Sequence, residues 1–174
     1  MSADFGEIVQ DLSWIPPDVH LIKLERGGTP NNRILLSKVR GQVARKTLHR
    51  LLSKHTGSAG YILSREYARV ALAFTERMNV PIDHLLFNRN NSPLADRLAP
   101  FQLCPAIVGQ SSATDGGSDI IPSRKRVVPT GLSFWRRELR NFYYDYRYVP
   151  QQVLQVLFQG AQLRIVPFQA AVGD

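Results

Sequence analysis

Lys46, Arg50 and Lys54 recur at every fourth position, with Arg45 beside them, and this spacing places cations along one face of a helix. Such a stripe can contact phosphates without base-specific geometry. A second basic segment is interleaved with aromatic rings, Phe134-Trp135-Arg136-Arg137-Glu138-Leu139-Arg140-Asn141-Phe142-Tyr143-Tyr144-Asp145-Tyr146-Arg147-Tyr148. Arginine among aromatic faces suits single-stranded nucleic acid, because every base can stack and every phosphate can pair. The same composition makes protein-protein hot spots, for which Trp135, Tyr143, Tyr144 and Arg147 are the candidates. Each segment also has a plainer account, as a solvated helix face or as a strand with one side in the core.

Groups that could carry covalent or metal chemistry are scattered. His20, His49, His55 and His84 form no pair at helical spacing, and the lone Cys104 has no second cysteine for a metal. Flanked by Leu103 and Pro105, Cys104 reads as a small buried apolar residue. Gly27-Gly28 and Gly116-Gly117 lack the following Lys-Ser/Thr or third glycine of a phosphate loop and read as turns. Asp83, Asp96, Asp115 and Asp119 have no spacing that forces two carboxylates together. No catalytic residue, cofactor or metal is therefore assigned from the sequence.

The whole chain frames these segments. Its 174 residues, 44% apolar and 21% charged, suffice for one domain with a core of ordinary size. The net charge of +8 is uneven: residues 33–77 carry +8 and 124–147 carry +5, against −3 over 1–32 and −2 over 78–123. Two basic blocks on an acidic frame predict a localised anion-binding face. One cysteine leaves no intramolecular disulfide, the first residues do not read as a secretory signal, and no apolar run is long enough to span a membrane. The expectation is a cytoplasmic protein, or a nuclear one in a eukaryotic or viral setting.

The elements predicted to position the candidates begin with a strand over Val19–Leu24, followed by Arg33–Leu36 as either a hairpin partner or the start of a helix. Ala44, Leu48, Leu51 and Leu52 predict an amphipathic helix from Gly41 to Lys54. A second helix begins at the N-cap Ser64 and runs through Tyr67, Val70, Ala71, Phe74 and Met78. Pro81 opens a short helix over Ile82–Phe87, and Ser92-Pro93 opens another that closes at Pro100. Residues 110–119, rich in Ser, Gly, Thr and Asp, read as a flexible loop in a single domain over 1–174. Beyond them come a strand at Arg126–Val128, a helix over Leu132–Asn141, an alternating strand over Phe142–Val149, a helix over Pro150–Gln159 ended by Gly160, and a last strand over Gln162–Phe168.

The fold class expected is α+β: a helical central part over 41–100, with a small antiparallel or mixed sheet from the N-terminal segment and the C-terminal third. Tyr67 to Phe87, with its amphipathic helix followed by Asn79-Val80-Pro81-Ile82-Asp83 and Leu85-Leu86, resembles the last two helices of phage-repressor-type helix-turn-helix domains. The resemblance covers about 20 residues, and the family's turn and recognition helix are not recognisable in Gly41–Leu63. It implies that Arg45 to Lys54 and Ser64 to Arg69 lie near DNA. The function expected first is a non-enzymatic nucleic-acid-binding regulator, DNA before RNA, contacting phosphates through Arg45, Lys46, Arg50, Lys54, Arg65, Arg69, Arg136, Arg137 and Arg140. A homodimer would follow if the target is palindromic. The second reading is a protein-interaction adaptor or assembly factor using segment 134–148, and the third an enzyme whose pocket the sequence does not reveal.

Overall fold

The structure, a computed structural model, describes residues 4–26, 32–75, 80–90, 92–109 and 132–169. The expected strand at Arg126–Val128, the loop 110–119 and the Gly27-Gly28 and Gly116-Gly117 turns lie outside the described residues.

A six-stranded mixed sheet organises the molecule. Its strands are β1 (Leu21–Lys23), β3 (Arg33–Val43), β4 (Lys46–Leu51), β5 (Tyr61–Leu63), β6 (Phe101–Cys104) and β8 (Gln162–Ile165), in the order β5-β1-β6-β4-β3-β8. Only β1 and β6 run parallel, with Ile22 opposite Phe101; the other neighbours are antiparallel. A two-stranded parallel sheet joins β2 (Glu25–Arg26) to β7 (Val108–Gly109).

Both faces of the central strands β1, β6 and β4 are largely buried, whereas the edge strand β8 and the outer half of β3 are exposed. Leu21, Ile34, Leu36 and Leu51 pack with Leu85, Leu86, Phe87, Leu94 and Leu98, so that face is covered by α2 (Arg65–Thr75), α3 (Ile82–Phe87) and α4 (Pro93–Leu98). Ile22, Leu48, Phe101 and Leu103 pack on the other side with Ile8 of α1 (Phe5–Gln10) and with Trp14, whose indole N–H donates to the Ile8 carbonyl at 3.1 Å. Two further helices, α5 (Leu132–Tyr146) and α6 (Val149–Gln159), precede the edge strand β8. Gln152 fastens α6 to the sheet by donating to the Leu52 carbonyl at 2.9 Å.

This architecture overturns the expected helical centre with a small sheet. Gly41–Lys54 is the turn and second arm of a long β3-β4 hairpin, reversed at Ala44 with φ 49. The reason lies in the spacing. Positions i and i+4 share a face in a helix, but they also share one in a strand, so the spacing of Lys46 and Arg50 fits either period. The opposite misreading occurs at 142–149. There Phe142 and Tyr146 stack with ring centroids 4.5 Å apart on the continuing helix α5, although the segment alternates on paper. Arg33–Leu36 is a strand, but it pairs with β4 and β8 and not with β1.

Several local signals do appear in the structure. The Ser64 hydroxyl accepts from the Tyr67 amide at 3.3 Å, and Ser92 caps α4 by accepting from Ala95 at 3.3 Å. Pro81 precedes α3, and Gly160 ends α6 in the left-handed region at φ 67.

Candidate functional site

Charged residues inside an apolar strand need partners, and β1 with its continuation contains two, Lys23 and Glu25, both fully buried. The Lys23 ammonium donates to the carbonyls of His55, Thr56 and Gly57, at 3.1 Å and 2.9 Å for the first two. It also lies 4.5 Å from the centroid of the Phe87 ring and 3.9 Å from a Glu25 carboxylate oxygen. Burial pulls its pKa down from 10.5 to about 8, while Glu25 and Asp83 oppose that shift.

The same loop is held from its amide side. Glu25 accepts from the Ala59 N–H at 2.6 Å, and the Asp83 carboxylate, on α3, accepts from the Gly57 N–H at 3.1 Å. Residue 57 must be glycine: its φ is 105, and a Cβ there would run into the Glu25 carboxylate. His55 is buried beside Gln102, with Nδ1 and the amide oxygen 3.2 Å apart, and Gln102 donates in turn to the carbonyls of Glu25 and Leu103. Burial first, and then the Lys23 charge, push the His55 pKa down to about 4, so the ring is neutral at pH 7. Residues 54–60 thus form a loop whose backbone is pinned by Lys23, Glu25 and Asp83 and whose His55 ring is held by Gln102, with Thr56 and Ala59 at the surface and Asp83 half-buried at its edge. A carboxylate beside a rigid, outward-facing loop can orient a hydroxyl or accept its proton. No group of three His, Cys, Asp or Glu side chains able to hold a metal occurs among the described residues.

The residues singled out in the sequence are dispersed by the fold. Lys46 is fully buried on β4, where it pairs with Asp4 at 2.7 Å and also donates to Gln169, tying both ends of the described chain to the sheet. Arg45 is exposed in the β3-β4 turn, Arg50 is exposed at the far end of β4, and Lys54 lies in the pinned loop, so no common stripe exists. Arg65 and Arg69 are exposed on α2. Arg136 is exposed on α5, where Trp135 is 66% and Tyr143 61% exposed. Arg137, Arg140 and Tyr144 belong to the same helix, with side chains outside the described set. Arg147 is engaged within the chain, donating to the Arg89 carbonyl at 2.9 Å and lying over the Tyr148 ring. Arg89 in turn grips Asp96 through two donors to one carboxylate oxygen.

Lys23, Glu25 and Gln102 were not among the sequence candidates, while Asp83 was weighed as a carboxylate without a forced partner; a signal for the first two existed: two charges of opposite sign at alternate positions within Leu21-Ile22-Lys23-Leu24-Glu25.

A model of glycosyltransferase family 25 (LPS biosynthesis protein) matches residues 5–86, a little under half of the chain. No curated protein and no solved structure gives a match. The matched stretch contains β1 to β5 and the whole pinned loop up to Asp83. This match overturns the expectations of a DNA-binding regulator and of a nucleic-acid partner. The repressor-type resemblance fails on the fold as well, because a hairpin and a loop precede α2 where that family has helices.

Proposed function

We propose that this chain is a glycosyltransferase-like enzyme acting on a sugar acceptor of the lipopolysaccharide kind, with the pinned loop 54–60 and Asp83 at its site. The observation that carries the reading is the coincidence of the matched residues 5–86 with that loop and nearly all of the framework beneath it. Transfer of a sugar needs an acceptor hydroxyl held in line with the donor and relieved of its proton as the new bond forms. Asp83 is the base assigned here, since its carboxylate stands half-buried at the loop edge and is oriented by the Gly57 amide at 3.1 Å. The buried Lys23 and Glu25 act on the loop backbone and touch no substrate.

The test uses the purified chain with a panel of nucleotide sugars and de-acylated lipopolysaccharide acceptors, following nucleotide release and product mass. Transfer from at least one donor is expected. Asp83→Asn should lower kcat by about a hundredfold or more, the scale of a lost general base, with the unfolding transition little changed. A folded wild-type protein that transfers from none of the donors overturns the assignment, and full activity in Asp83→Asn overturns the role of that residue.

A further inference from the structure

A cavity of about 370 Å³ opens between the bulged part of β3, the end of β4 and α6, on residues that the pinned loop does not use. Its size falls in the range of small-molecule sites. Three cations line it, Lys38, Arg40 and Arg50, against the single carboxylate of Asp18. The irregular register of β3 after Leu36 is what presents Ser37 and Lys38 here, as strand bulges re-aim side chains. The Ser37 hydroxyl accepts from the Arg50 backbone N–H at 2.9 Å, which locks the two strands at the cavity wall. The stem of the exposed Lys38 passes over Gly160, where a Cβ would meet its Cε at 2.6 Å.

Two features of the lining bear on what the cavity can hold. The cations outnumber their partner: Arg40 pairs with Asp18 at 2.8 Å, with both side chains more than half exposed. Arg50, exposed as a residue, is partly desolvated at the cavity wall, which lowers its pKa, and Arg89 and Arg40 add to that effect while Asp96 opposes it. Separately, Gln155 of α6 lines the same cavity at 8% exposure, and its side-chain oxygen has no hydrogen-bond donor. A buried acceptor without a donor is unfavourable, and a ligand hydroxyl reaching it relieves that.

We infer that this cavity binds a phosphorylated sugar, with its phosphate on Lys38, Arg40 and Arg50 and a ring hydroxyl donating to Gln155. Cations in a fork suit the phosphate oxygens, and the lone amide acceptor suits a polyol more than a bare anion. The inference rests on the cavity alone and does not depend on whether the chain transfers sugars. Two sources share the chemistry, a sugar phosphate monoester and the sugar-phosphate end of a nucleotide sugar.

Isothermal titration calorimetry of the full chain with glucose 1-phosphate, inorganic phosphate, glucose and UDP-glucose tests it. Glucose 1-phosphate should bind more tightly than phosphate or glucose, and more weakly at higher salt. Binding of UDP-glucose without glucose 1-phosphate would assign the site to the nucleotide sugar. Arg50→Gln should weaken binding about tenfold or more, as expected for a lost charge-assisted contact. Gln155→Leu should abolish the preference for glucose 1-phosphate over inorganic phosphate. Asp18→Asn releases Arg40 from its partner and should tighten binding, a gain that misfolding cannot mimic. Failure of both sugar phosphates to bind, or affinity unchanged in Arg50→Gln and Asp18→Asn, overturns the site. A preference that survives Gln155→Leu overturns the sugar orientation.

Discussion

Replacing Lys23 with Met tests whether the buried framework holds the loop. The substitution keeps most of the side-chain volume but removes the ammonium that three loop carbonyls share, and it leaves Glu25 buried 3.9 Å from where its counter-charge stood. Breaking one member of a buried ion pair costs about 3–5 kcal/mol, because the partner keeps its desolvation penalty without compensation. The total stability of a domain is about 5–15 kcal/mol, so the variant should remain measurable but well below wild type. Urea unfolding followed by circular dichroism, with Glu25→Gln and the double variant, closes a cycle. The double variant should recover part of the loss, with a coupling of about 1–3 kcal/mol. Amide exchange at Gly57 and Ala59 should accelerate in Lys23→Met, since the turn that presents them is no longer held. The lysine also leaves a pH signature. Its pKa is about 8 in the folded chain and near 10.5 when unfolded, so between those values the unfolded chain binds more protons and stability rises with pH. That rise should be absent in Lys23→Met. A loss below about 1 kcal/mol with no coupling to Glu25 would refute the account of Lys23 as the loop's anchor.

Lowering the pH from 6.5 to about 4 should destabilise the protein by about 3 kcal/mol through His55, since the unfolded chain takes up a proton that the buried ring refuses; that part of the fall in the denaturation midpoint should be absent in His55→Leu. Gly57→Ala should cost about 1–3 kcal/mol in urea unfolding, because φ is 105 and the added methyl meets the Glu25 carboxylate; an unchanged midpoint would contradict the loop geometry. The Cys104 thiol, buried and pushed up to about 12, should resist a thiol-reactive dye in the native protein and label only at the rate of unfolding.

The sequence by itself determined the local stops and starts. Ser64, Pro81, Ser92 and Gly160 act through one or two neighbouring backbone groups, so their type and position suffice to place the ends of α2, α3, α4 and α6. It also located the excess charge, although not its use. Whether Lys46 and Arg50 share a helix face or belong to a strand was left open by a four-residue spacing that satisfies both periods, and pairing with β3 and β6 decided it. Lys46 became a buried tie to Asp4 and Arg50 a wall of the cavity, roles set by strands far apart in the chain. The same holds for the loop framework: Lys23, His55, Asp83 and Gln102 span 80 positions and meet only because β1 lies between β5 and β6. Long-range pairing is driven by burial of the central strands on both faces, which depends on the whole chain at once, and a site assembled by it leaves no mark in spacing.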